Sequence, residues 1–169
     1  MLDDLVWEAG NRNSAVRGCR EGEAWMSRWT EIVVGVDGSE GSRRALRWAY
    51  EESREHHAKL LVVTAWSLPA PPMAPPFGSY PWEGSFDLSE PARQLVTTSI
   101  AEALGPDPEG VVESVVVQGN AAKVLLERSA TADLLVVGSR GHGAFAGMLL
   151  GSVSHHVTAH ASCTVAVVR

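Results

Sequence analysis

Val136-Val137-Gly138-Ser139-Arg140-Gly141-His142-Gly143-Ala144-Phe145-Ala146-Gly147-Met148-Leu149-Leu150-Gly151-Ser152 runs from an apolar stretch through glycines and small residues to the start of a helix. The apolar lead, Leu134-Leu135-Val136-Val137, reads as a strand covered on both faces. Without Cβ atoms, Gly138 and Gly141 are expected to take positive φ and let backbone amides approach an anion closely. A helix beginning beyond Gly151 adds unpaired N–H donors and a partial positive charge at its amino end. Ser152 is expected to cap that helix and to offer its hydroxyl to a phosphate oxygen. A polyphosphate suits such a turn. A turn that uses glycine only for tight packing is the competing reading.

The same alternation continues on both sides of this junction. Residues 31–36, 60–66, 111–117 and 164–168 are β-branched, apolar runs of strand length. Between them lie helical patterns. Ser39 offers an N-cap to a helix through residue 57, with Ala45, Leu46, Trp48, Ala49 and Tyr50 at helical spacing. Residues 90–104 form a second, with Leu95, Ile100 and Leu104 expected inward. Asn120 caps a third that carries Val124, Leu125, Leu126 and Ala130, and residues 152–161 form the last. Strands separated by helices imply right-handed crossovers and one open parallel five-stranded sheet with helices on both faces. Residues 68–89 hold prolines at 69, 71, 72, 75, 76 and 81, which excludes an element and marks a long loop of the kind that often serves as a lid. Residues 1–28 carry no sustained period and read as a flexible extension to a domain spanning 29–169. Met26 is a second candidate start.

An acid closes the first strand of that domain. Val34-Gly35-Val36-Asp37-Gly38-Ser39 brings Asp37 to the carboxyl end of the sheet. If this strand neighbours the one leading to Gly138, their connections leave in opposite directions and a crevice opens between them. Asp37 would then stand beside Gly138 with a carboxylate for a ribose hydroxyl or an adenine edge. Its alternative role is that of a turn residue satisfying nearby amides.

These residues resemble the universal stress protein family. Gly138-x-x-Gly141, nine residues, then Gly151-Ser152 is similar to that family's ATP-binding signature, and Ile32 to Ser39 resembles its first strand and turn. The resemblance covers about residues 31–169. It implies a strand order of 3-2-1-4-5 and ATP as the ligand, with Mg2+ or Mn2+ held through the phosphates. Asp37 would contact the nucleoside, with Gly35 and Ser39 from the matching strand and turn in the same binding set. Ala65 would offer backbone to adenine, and Gly119 would line the ribose side. Gly138, Ser139, Arg140, Gly141, Gly151, Ser152 and Val153 would surround the phosphates. It further implies a homodimer through residues 164–168, an apolar edge that would otherwise pair without control.

The totals narrow the class. Fourteen basic against twenty acidic residues give a formal net charge of -6, with no basic cluster beyond Arg43, Arg44 and Arg47 on one solvated helix face, so nucleic acid is not an expected partner. Cys19 and Cys163 lack metal or disulfide-framework spacing, which points to a reducing cytoplasm. No run reaches the roughly 18 apolar residues of a membrane span, and the first residues lack a secretory h-region. Lysine occurs only at 59 and 123, so no phosphate-binding lysine follows either glycine turn. Arg140 and His142 are the cationic candidates beside the phosphates, expected to neutralise charge. His155, His156 and His160 lie on the last helix without a completing carboxylate or cysteine, and a solvated face is expected there. Neither a catalytic nor a metal-ligating residue is assigned. An ATP-binding regulatory module is expected; a slow ATPase or autophosphorylating enzyme and a scaffold that never meets nucleotide are the alternatives.

Overall fold

Ile32, Val33 and Val34 have no measurable exposure, because successive side chains of one strand feed opposite layers of the molecule. This strand, β2 (Glu31–Gly35), lies at the centre of the sheet in the computed structural model, which describes residues 29–67, 89–142 and 149–169 and the backbone of residues 6–7. Beyond β2 come α1 (Glu40–His56), β3 (Lys59–Trp66), α2 (Ser89–Leu104), β4 (Val112–Gln118), α3 (Ala121–Arg128), β5 (Leu134–Gly138), α4 (Ser152–His160) and β6 (Thr164–Val168). The parallel strands lie in the order β4-β3-β2-β5-β6. Counted along the domain this is the expected 3-2-1-4-5.

Helices cover both faces. Ile32, Val34 and Val36 pack with Ala45, Leu46 and Ala49 of α1 and Val96 of α2. Val33, Val63, Leu135 and Val137 pack with Val124 and Leu125 of α3 and Val157 of α4. Full burial of a side chain such as Leu46 stabilises the fold by about 1.5–3 kcal/mol. In α2 the buried positions are Ala92, Val96 and Ser99, while Leu95, Ile100 and Leu104 are only partly covered. The three expected positions do pack against the core, with smaller residues beside them more deeply buried. Arg43 also departs from a solvated face. It folds back to donate to the Gly38 carbonyl at 3.0 Å and to reach Glu40 and Glu102.

The chain bottom is tied by Asp133. Its Oδ2 accepts from the Thr30 amide (2.7 Å), the Thr30 hydroxyl (2.8 Å) and the Glu31 amide (3.2 Å). The Asp133 amide returns a bond to the Glu31 carbonyl at 3.0 Å, so β2 and β5 start in fixed register.

A further short strand, β1 (Val6–Trp7), pairs antiparallel with β6, Val6 opposite Ala166 and Trp7 opposite Val165. It lies along the edge expected to form the dimer seam. The rest of the extension, and residues 68–88 of the expected loop, fall outside the described residues. Ser89, placed in that loop by the sequence, opens α2.

Candidate functional site

β2 and β5 are adjacent and their chains leave in opposite directions, α1 to one face and α4 to the other. The crevice this opens at their carboxyl ends is a cleft of about 280 Å³. Of the expected site residues, Gly35, Asp37, Ala65, Gly138, Arg140, Gly141, Gly151, Ser152 and Val153 line it. Ser39, Gly119 and Ser139 do not. Val36, Ser42, Val63, Ala121, Leu125, Val137, His142 and Ser154 complete the wall.

One wall is the turn from β2 to α1. The Val36 amide donates to Val63 O at 2.9 Å and the buried Thr64 hydroxyl donates to Val36 O at 3.0 Å, which fixes the strand end before Asp37. Asp37 then divides its carboxylate. Oδ1 accepts from the Ser39 amide (3.0 Å) and hydroxyl (2.6 Å), an Asx-type turn. Oδ2 lies against Gly141 across the cleft. The turn role thus falls to Oδ1, and Oδ2 is turned toward the glycine loop. Partial desolvation pushes the Asp37 carboxyl up, but hydrogen bonds from Ser39 and Ser42 and the nearby His142 outweigh it and hold it below its ordinary value. The acid is ionised in the neutral range.

Ser39 is spent on local structure. Its hydroxyl accepts from the Ser42 amide at 3.2 Å as the α1 N-cap while donating to Asp37. Ser42, one turn into α1, lines the cleft but is buried, and its hydroxyl is engaged as well, donating to Ser39 O at 2.9 Å.

The opposite wall is the glycine turn, and here one expectation is corrected. Neither Gly138 nor Gly141 takes positive φ; among the described glycines Gly38, Gly105, Gly110 and Gly119 do. Gly138 and Gly141 are needed for proximity. A Cβ on Gly138 would sit 2.7 Å from the Gly41 carbonyl carbon and 3.0 Å from the Ser42 amide nitrogen, and one on Gly141 would collide with the Asp37 carboxylate. So the Asp37 carboxylate meets Gly141, while Gly138, in the same cleft, packs on the first turn of α1. Gly41 is the missed half of that contact: a Cβ there would meet Arg140 O at 2.6 Å.

The third side is the start of α4. Gly151, not Ser152, is the N-cap, and no side chain caps the helix. Ser152 is the first helical residue and is exposed at the cleft. Ser139 is buried and structural: its amide donates to Val168 O (2.7 Å), and its carbonyl accepts from the Gly151 amide (2.7 Å) and the Ser154 hydroxyl (3.0 Å). The Gly151 amide is thereby removed from the donors available to an anion. Those of Ser152, Val153 and Ser154 have no intrahelical acceptor, and the helix dipole adds partial positive charge. The segment 143–148 of the motif lies outside the described residues.

Gly119 follows β4, its amide donating to Trp66 O at 2.8 Å, and is not part of the cleft wall. Both lysines are engaged elsewhere, Lys59 with Glu113 at 2.8 Å and Lys123 near Glu127 at 3.8 Å. On α4, His155, His156 and His160 are exposed, and the rings of His156 and His160 stack at 4.3 Å. Among the described residues no three His, Cys, Asp or Glu side chains converge as a metal site, and no helix is long and apolar enough to cross a membrane. Cys163 packs against the α3–α4 layer, and burial pushes its thiol up.

Residues 28–169 match the model of the universal stress protein family. The chain is 35% identical over 138 residues to the universal stress protein Rv2623 of Mycobacterium tuberculosis, covering 82% of this chain and 44% of that one. It is 37% identical over 142 residues to the universal stress protein Mb2028c of Mycobacterium bovis, covering 82% and 45%. It therefore spans under half the length of these curated relatives. A universal stress protein whose crystal structure was determined in complex with cAMP superposes with a TM-score of 0.63 at 29% identity, covering 85% of this chain and 98% of that one.

Proposed function

This chain belongs to the universal stress protein family, and from that premise we propose that its cleft binds an adenine nucleotide, ATP, as a regulatory ligand. The observation that carries the reading is the opposition of Asp37 Oδ2 to the glycine turn and the α4 amides across one cleft. An acid on one lip suits sugar hydroxyls and repels phosphates; unpaired amides on the other suit phosphates. The cAMP complex of a relative at 29% identity supports an adenine nucleotide. A Mg2+ or Mn2+ ion would be held mainly by the phosphates, with Asp37 as the available carboxylate.

Binding with a conformational output is favoured over turnover. Neither lysine lines the cleft, and fast phosphoryl transfer needs metal, cation and base positioned together. The protein is proposed to act in the stress response as a homodimer through Thr164–Val168, whose apolar sequence suits a seam. The test is direct: the purified protein is denatured by heat and the released small molecules are separated by chromatography, alongside calorimetric titration with ATP. Adenine nucleotide in the supernatant, or saturable binding, is expected. An empty supernatant together with no binding at millimolar ATP ends the proposal.

A further inference from the structure

The two lips of the cleft are joined by a contact that the nucleotide reading alone does not require. His142 Nε2 lies 2.9 Å from the Asp37 carbonyl, between residues 105 apart in the chain. A carbonyl only accepts, so Nε2 carries the hydrogen and donates it. Gly141 leaves room for the Asp37 carboxylate, which a Cβ there would strike. On the other side the imidazole packs at ordinary contact distance on Gly38, its Nε2 3.7 Å from where a Cβ would stand.

The other bonds on Asp37 are local. Its amide donates to Ser42 Oγ at a long 3.4 Å, and Oδ1 is held by Ser39 two residues on. These shape the turn without orienting it relative to the glycine loop. The bond from His142 does.

We infer that His142 is a positioning residue for nucleoside recognition: it holds the Asp37 main chain against the glycine loop so that Oδ2 faces the cleft. The inference rests on the adenine-nucleotide reading above. His142 acts through Asp37 and is not itself a phosphate ligand.

The experiment is calorimetric titration of the full chain with adenosine, ATP and inorganic triphosphate. It compares wild type, His142→Ala, His142→Gln, Asp37→Ala and the double variant His142→Ala/Asp37→Ala. His142→Ala is expected to weaken adenosine and ATP alike by about tenfold, as loss of one hydrogen bond allows, and to leave triphosphate unchanged. Glutamine, whose amide nitrogen reaches a similar distance, restores binding to within about threefold. In the Asp37→Ala background the His142→Ala change has no further effect. A loss confined to ATP and triphosphate, or additive losses in the double variant, overturns the inference. So does wild-type affinity in His142→Ala while the wild type binds ATP, and that result leaves the nucleotide reading standing. A wild type that binds no adenine compound defeats the nucleotide reading itself.

Discussion

Asp133 shows how much one oxygen can organise. Three donors converge on its Oδ2, and although desolvation raises its pKa, those bonds outweigh it and hold the carboxyl below its ordinary value of 3.8. A lowered folded-state value means that the stabilisation is fully present above the ordinary value and is lost as pH falls through the folded one. Asp133→Asn should destabilise the protein by about 1–2 kcal/mol at pH 7, discounted for partial exposure, and should flatten thermal stability against pH in the acid limb. Melting temperature followed from pH 7 to pH 2.5 checks both. At the cleft, Gly141→Val should abolish nucleotide uptake while the fold persists, because the new side chain enters the space of the Asp37 carboxylate. Uptake equal to wild type by equilibrium dialysis would remove the turn from the site. Asp37 was legible because an acid directly follows a buried strand. Asp133 was not, since its partners Thr30 and Glu31 lie about a hundred residues away. Ser39 was legible as a cap, yet spacing along the chain cannot say that its hydroxyl is consumed by Asp37.

Among the elements, α4 depends on a residue that sequence reading passed over. Ser154 is buried and its hydroxyl donates to Ser139 O and Gly151 O, both at 3.0 Å. It thus fastens the first turn of the helix to the strand end, a tie for which no residue was singled out in the sequence. Ser154→Ala should cost about 1–2 kcal/mol by chemical denaturation and lower ATP affinity severalfold, through drift of the α4 amides. Unchanged affinity at reduced stability would separate the helix start from phosphate binding. Strands and helices were readable because β-branched runs alternate with capped helical patterns. The strand order followed from resemblance. What the sequence left hidden was main chain meeting main chain, as at Gly41 and Gly138, where the signal is only the absence of a side chain.

For the whole molecule, the sheet ends differently on its two sides. β4 is an outer strand with Val111 58% exposed beside it, whereas β6 carries β1 on Val165 and Ala166. Any dimer through Thr164–Val168 must displace that pairing. A chain beginning at Met26 should self-associate with a dissociation constant about tenfold lower than the full chain, about 1.4 kcal/mol, as loss of one or two competing ladder bonds allows. Sedimentation velocity over a concentration series measures it, and equal constants would show that β1 does not compete. The direct seating of the first turn of α1 on the end of β5, with no side chain between, has its own consequence. At the root of the cleft the two sides are spaced by main chain alone, like the pivot of a caliper, while side chains meet at the rim. Ligands would then be sorted by width against a fixed gauge, and substitutions at the rim would retune grip without altering the size admitted.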